Sequence, residues 1–432
     1  MKVPLPVRQE EFNKLGTRYM SDDLPQEFRL PQGYRAAGVY TGVKRNSSRL
    51  DLSLIVSDQP AVAAGVYTQN VVCGAPVELD RQRTPSDSIR AVVINSGVAN
   101  ACTGEQGVRD ALEMAQRTAD ICGYGQEEVL VLSTGVIGEL LPMDKINPGI
   151  AAAAAELASS DVSLINAARG MMTTDTTHKV RGRAIQLGAV TPGSGQQGDG
   201  RVLITGIAKG AAMIGPNMAT MLGVIMTDAA VSAADAQAGL KDAVDESFNC
   251  ISVDGHTSTS DSVLLLANGA AGGPVLSGSD LAKFQATLVE VCEDLAQSIP
   301  ADGEGATHLI TVEVHGCENR KDAVTIAKTI ADSPLVKTAV AGADPNWGRI
   351  VSAAGYAGIA FDPTKVSLLV NGMLLYEHGA PVDFNAAAVS KSIKADRDTG
   401  IVLLLDEGTA SARFWTTDLT AEYVRLNAEY HT

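Results

Sequence analysis

With 432 residues, 45% of them apolar but only 4% aromatic, the chain exceeds the usual limit of a single hydrophobic core. It therefore forms two lobes or one large layered unit, filled by small aliphatic side chains and 42 glycines that let backbones approach closely, which suggests layers of sheet and helix. Against 34 basic residues stand 50 acidic ones, a formal charge of −16, and no basic run can follow a phosphate backbone, which excludes nucleic acid as the expected partner.

Six cysteines without a CxxC pair are too sparse for a disulfide framework, so a reducing cytoplasm is expected. The start, Met1 to Glu11, lacks a signal-peptide core, and no stretch of ~18 apolar residues predicts a membrane span.

Residues 1–33 carry prolines and charges without a sustained period and read as an N-terminal extension. From Tyr34, β-branched or alanine-rich stretches between turn residues predict strands over 36–43, 50–56, 61–67 and 89–94. Helical spacing follows over 109–121, then a strand over 128–132 that ends at Ser133, Thr134 and Gly135. Helices are expected near 150–157 and over 163–172, the second running into Thr173, Thr174 and Asp175. Strands over 183–187 and 201–207 flank a glycine-rich loop at 191–200.

The apolar run 221–226 is too short for a typical helix and reads as a buried strand. Helices are predicted over 233–248 and 279–298, the latter with Ser279 and Asp280 as N-cap. A strand over 309–315, a helix over 321–331 and a strand over 366–370 follow, and a terminus rich in large residues is expected to dock.

The familiar catalytic motifs HExxH, GxxxxGK[ST], GxSxG and strand-linked GxGxxG are absent, and the six histidines show no metal-ligand spacing. What remains is a set of loops dense in Gly, Thr, Asn and Asp: 95–100, 133–135, 173–175 and 302–307. Such residues present backbone N–H groups and hydroxyls to a ligand, although each loop taken alone also reads as a turn.

Thr220 has a more particular setting. Pro216 and Asn217 break regular structure just before it, and a core strand follows it. A hydroxyl there could attack its own preceding carbonyl, and hydrolysis of the resulting ester would free an α-amine of pKa near ~7.7, a suitable base for that hydroxyl. Residue types alone favour the plainer reading of a strand-start threonine chosen for β-propensity.

The segment Lys209-Gly-Ala-Ala-Met-Ile-Gly-Pro-Asn-Met-Ala-Thr-Met-Leu222 resembles the self-cleavage segment of the ornithine acetyltransferase family, the glutamate N-acetyltransferases of arginine biosynthesis. So do Ala99-Asn-Ala-Cys-Thr-Gly-Glu-Gln106, Ser133-Thr-Gly-Val-Ile-Gly138, Leu141-Pro-Met-Asp144, Asp302-Gly-Glu-Gly-Ala-Thr307, Asp344-Pro-Asn-Trp-Gly-Arg349 and Tyr423-Val-Arg-Leu-Asn-Ala428. These motifs run in the family's order from about residue 33 to the last, and that extent reverses the preference at Thr220.

The resemblance implies an α/β sandwich of the kind shared with certain self-processing aminopeptidases and distinct from other N-terminal-nucleophile hydrolases. It implies cleavage between Ala219 and Thr220, giving an α-chain whose remainder spans 34–219 and a β-chain of 220–432 that begins with the nucleophile. The oxyanion hole would fall on Thr134 and Gly135, and substrate binding on Thr174, Lys209, Thr220, Glu304, Asn427 and Thr432.

The implied reaction moves acetyl from N-acetylornithine to glutamate through acetyl-threonine, without metal or organic cofactor, with acetyl-CoA as an additional donor in some members. The implied assembly is α2β2. Two rivals use the same residues: an amidase or aminopeptidase in which water resolves the acyl-enzyme, and an unprocessed binding protein. The chain departs from the family's pattern at Val98, His256, Ser260 and His308, and in having Ser298 to Ala301 where a basic residue is common.

Overall fold

The computed structural model describes residues 29–188, 201–215 and 221–429, which divide into two compact units. The larger comprises Gln26–Asn249 and Asp254–Asp302, the smaller Cys250–Val253 and Gly303–His431.

The sheet of the larger unit has eight strands: β1 (Tyr34–Val39), β2 (Leu52–Tyr67), β3 (Ser86–Val98), β4 (Val129–Val136), β5 (Lys179–Gln186), β6 (Arg201–Lys209), β7 (Leu222–Thr227) and, after β8 (Ile251–Ser252) of the smaller unit, β9 (Ser262–Ala267). The order is β4-β3-β2-β9-β7-β6-β5, with β1 beside β2. The pairs β3–β4 and β7–β9 are parallel, and the other pairings are antiparallel.

Successive strand residues point to opposite faces, and both faces are covered. Val92, Ile94, Leu130 and Leu132 enter one core with Leu164, Ala167 and Ala168 of the helix Asp161–Gly170. Their neighbours Ala91, Val93, Val129 and Val131 enter another, with Met114 and Ala115 of the helix Gly104–Cys122 and Ile146 and Ile150 of the helix Met143–Ala155. Every residue of β7 and β9 is buried, which is why these strands read as continuous apolar runs rather than as alternations.

Several sequence-based boundaries move: the strand expected over 128–132 runs on to Val136 because its pairing with β3 continues, and that expected over 36–43 ends at Val39, where its pairing with β2 ends. The separate strands expected over 50–56 and 61–67 are one strand, because Ser57 to Pro60 form a register shift between Val56 and Ala61 while both halves keep pairing with β3. The helix expected near Ile150 begins at Met143 and contains Pro148; burial of Ile146 on its first turns outweighs the proline. Ser279 and Asp280 do not cap their helix, which spans Gly278–Ala301 with Ser277 at the N-cap; Asp280 instead accepts the Gly188 N–H at 3.1 Å. The glycine-rich loop 191–200 lies outside the described residues.

The smaller unit has its own mixed sheet, to which β8 contributes one edge. Its other strands are β10 (Leu309–Cys317), β11 (Ser367–Val370), β12 (Met373–Glu377), β13 (Ala380–Pro381), β14 (Asp398–Leu404) and β15 (Ala410–Thr417), in the order β13-β12-β11-β14-β10-β15-β8. The helix Arg320–Asp332 buries Ala323, Ile326, Ala327 and Ile330, the stripe of one helical face. The terminal helix Ala421–Glu429 buries none of its residues; it is tied at its start by the Thr420 hydroxyl, which donates to the Gly305 carbonyl at 2.7 Å.

No helix among the described residues is long and apolar enough to cross a membrane. Leu264, fully buried on the central strand β9, tests the packing. Leu264→Ala is expected to cost about 2–5 kcal/mol, read as a lowered urea midpoint of the larger unit's unfolding transition.

Candidate active site

The site begins at the stem of a hairpin. Strands β6 and β7 pair antiparallel, with Lys209 opposite Leu222, so the expected cleavage segment is the loop between them. Lys209 is 2% exposed, and its Nζ donates to Thr134 Oγ1 at 3.1 Å. Thr134, equally buried, stands near the end of β4.

The next residue, Gly135, is exposed and has φ +135°, a conformation that disfavours side chains. A Cβ on it would lie 2.2 Å from the Gly97 carbonyl carbon at the end of β3. Two parallel strands can end this close together only because glycine occupies the contact. The structure thus brings Thr134, Gly135 and Lys209 together.

Below them lies a buried charge cluster. Asp175 Oδ1 accepts from Lys179 Nζ at 2.7 Å and from the Gly210 N–H at 2.6 Å, while Oδ2 accepts the Thr173 N–H at 3.0 Å. Lys179 also donates to Asp302 Oδ2 at 2.7 Å, and Asp302 accepts the N–H groups of Thr176 and Thr177 and the Thr176 hydroxyl. Burial alone would raise the pKa of Asp175, but Lys179 and Lys209, with the Gly210 amide, hold it well below the usual carboxylate range.

Lys44 supports the same loop from another side. Its Nζ donates to the carbonyls of Leu50 and Met172 at 2.7 and 2.6 Å. Burial lowers its pKa to about 8, against the opposing pull of Asp51. Thr174 is half-buried between neighbours fixed by these contacts.

The cleavage segment is held on both sides by one loop. Asp254 accepts the N–H groups of Met213 and Ile214 at 2.7 and 2.9 Å, and a Cβ on Gly215 would lie 2.2 Å from the Gly255 carbonyl carbon. On the far side, Asp261 Oδ1 accepts the Met221 N–H at 2.9 Å. Ala219, Thr220 and Thr432 lie outside the described residues.

In the smaller unit, Glu304 Oε2 accepts from Asn427 Nδ2 at 3.0 Å, which joins two further expected substrate-binding residues. His308, one of the departures, is bound between the buried Asp418, at 2.9 Å from its Nδ1, and the Ile393 carbonyl, at 3.1 Å from its Nε2. Val98 is buried in the core of the larger unit, and His256 is exposed. Among the described residues no cluster of His, Cys, Asp and Glu could hold a metal ion.

Sequence reasoning assigned no role to Lys44, Lys179 or Asp261. Asp175 and Lys179 carried a usable signal, since opposite charges four residues apart beside a polar loop suggest a pair. Asp261 carried one only as the acidic end of the segment 253–261.

Fold and site define an α/β protein of two mixed sheets, with a buried lysine–threonine pair beside a glycine-bounded strand end and a hairpin loop gripped at both stems. Its relatives are specific. The ArgJ family model matches residues 35–432, and the chain belongs to that family.

It is 44% identical over 421 residues to the arginine biosynthesis bifunctional protein ArgJ of Rhodopirellula baltica, covering 96% of this chain and 100% of that one. To the protein of the same name from Symbiobacterium thermophilum it is 45% identical over 405 residues, covering 93% and 98%. Among solved structures, that of the arginine biosynthesis bifunctional protein ArgJ of Bacillus halodurans is 39% identical with a TM-score of 0.47, covering 48% of this chain and 98% of that one.

The Asp175 cluster makes a pH-dependent contribution to stability. Because its folded pKa lies below the unfolded value of about 4, the ionised pair stabilises the fold above that value, and the contribution is lost as pH falls through the folded pKa. Asp175→Asn is expected to cost about 3–5 kcal/mol at neutral pH. The difference from wild type should shrink in urea titrations repeated below about pH 4.

Proposed function

We infer that this chain is an acetyltransferase of arginine biosynthesis that moves acetyl from N-acetylornithine to glutamate by way of Thr220, after cleavage between Ala219 and Thr220. The observation that carries the site assignment is the buried bond from Lys209 to Thr134 at the stem of the hairpin that contains the cleavage segment. A hydroxyl has one proton to give and two lone pairs to accept with. With the Lys209 ammonium on one lone pair, the Thr134 proton is polarised and left for another acceptor.

In the proposed cycle the α-amine of Thr220 takes the proton of its own hydroxyl, and Oγ1 attacks the acetyl carbonyl of N-acetylornithine. The Thr134 hydroxyl and the Gly135 N–H receive the oxyanion. The C–N bond breaks, the departing amine takes the proton, and ornithine leaves an acetyl ester on Thr220. The α-amine of glutamate then attacks that ester, N-acetylglutamate departs, and the proton returns to Oγ1.

An ammonium such as that of Lys209 suits a substrate α-carboxylate and Glu304 the side-chain ammonium of ornithine, and Thr174, Asn427 and Thr432 are proposed as further contacts. Acetyl-CoA is proposed as a second donor, in keeping with the word bifunctional in the relatives' names. We further propose a cytoplasmic α2β2 particle. Its two kinds of chain would stay joined because β6 and β7 pair over six residues that do not include the cut peptide.

Transfer and hydrolysis measured side by side test the reaction class. With N-acetylornithine and glutamate supplied together, N-acetylglutamate is the expected main product, whereas free acetate in excess would make the protein an amidase. A denaturing gel tests the processing. Wild type is expected to give two bands and Thr220→Ala one, and a wild-type chain that stays whole would defeat the proposal. Thr134→Ala, processed but deprived of one oxyanion donor, is expected to lose about 10²–10³ in kcat, measured by steady-state transfer assays.

A further inference from the structure

Asp261 closes the loop that precedes β9 and is fully buried. Its own carbonyl accepts the Thr68 N–H at 2.9 Å, just past the end of β2, so its backbone is pinned by the sheet. From there Oδ1 takes the Met221 N–H at 2.9 Å. The other oxygen, Oδ2, is buried with no hydrogen-bond partner among the described residues. Buried polar atoms are nearly always satisfied, and an exception points to a group that the folded chain does not itself supply.

We propose that Asp261 is a positioning residue of the acetyl-transfer site: its buried carboxyl holds the Met221 N–H and so anchors the start of β7, the strand that follows the proposed nucleophile in the chain. The inference rests on Thr220 being that nucleophile. Met221 is covalently bound to the carbonyl carbon of residue 220, and β7, which starts at the following residue, is buried throughout. Oδ2 is left for a polar group that arrives with cleavage or with substrate.

The charge state of Asp261 sets the design of the test. Burial pushes its carboxyl well above the usual range, against the opposing effects of the Met221 N–H, the Lys209 charge and Ser258. Burial favours the uncharged form of the carboxyl, and asparagine is the neutral replacement that keeps an oxygen to accept the Met221 N–H.

Asp261→Ala and Asp261→Asn are to be compared with wild type for the rate of appearance of the two bands, and for kcat and KM in acetyl transfer. Misplacing a reacting group by about an ångström costs on the order of a hundredfold. Asp261→Ala is therefore expected to slow processing and to lower kcat by at least about tenfold, with the KM for glutamate within about twofold of wild type. Asp261→Asn is expected to recover all but about threefold of both rates.

Wild-type rates in Asp261→Ala would overturn the proposal, as would a folded Asp261→Asn no faster than Asp261→Ala. Should Asp261→Ala not fold, Asp261→Asn decides alone, because a loss above about tenfold in its kcat contradicts a role for the neutral carboxyl. Failure of the nucleophile assignment shows differently, as wild-type protein that remains one band, and would overturn both readings.

Discussion

The loop between β6 and β7 is held from both of its stems, and the rest of the site is arranged around that constraint. A peptide that is to be cut can be released only if the strands it joins have no need of it. Here they pair over six residues, and β7 is buried between β6 and β9 along its whole length. Asp254 and Gly255 grip one side of the cleavage segment and Asp261 the other, so a single loop fixes both ends. Lys209 places its ammonium at the stem of the hairpin, and Met221 is held on the other side, next in the chain to the proposed nucleophile.

Around this hairpin, two carboxyls within the field of Lys209 are driven in opposite directions. Asp175 has Lys179 at 2.7 Å and two backbone N–H groups, and it stays ionised despite its burial. Asp261 has the Met221 N–H, the Lys209 charge and Ser258, and burial outweighs them and pushes its carboxyl above the usual range. The directly bonded Lys179 ammonium makes the difference, since desolvation is common to both.

Much of this was legible in the sequence, because the residues concerned also obey local rules. The apolar run after Thr220 could only be a buried strand, whereas β4 runs on through Ser133-Thr134-Gly135 to Val136, because pairing with β3 carries it past the polar residues that read as its end. The polar loop around Thr174 was visible from composition, and the ordered motifs named the family that the whole-chain comparisons show. The continuity of β2 was not legible, since Ser57 to Pro60 carry turn chemistry and only the pairing of both halves with β3 carries the strand through them. The helix around Pro148 was hidden for a similar reason: tertiary burial of Ile146 overrode a local signal. Asp261 was invisible because its role is set by a partner forty residues away, and a lone aspartate beside serines has no pattern to betray it.

The most direct measurement is the mass of each polypeptide after the purified protein is incubated with N-acetylornithine and no glutamate, quenched in acid and separated under denaturing conditions. The account requires a fragment that begins at Thr220 and carries one added acetyl group, which disappears when glutamate is added before the quench. An uncleaved chain, or an acetyl group located on the fragment that ends at Ala219, would contradict it.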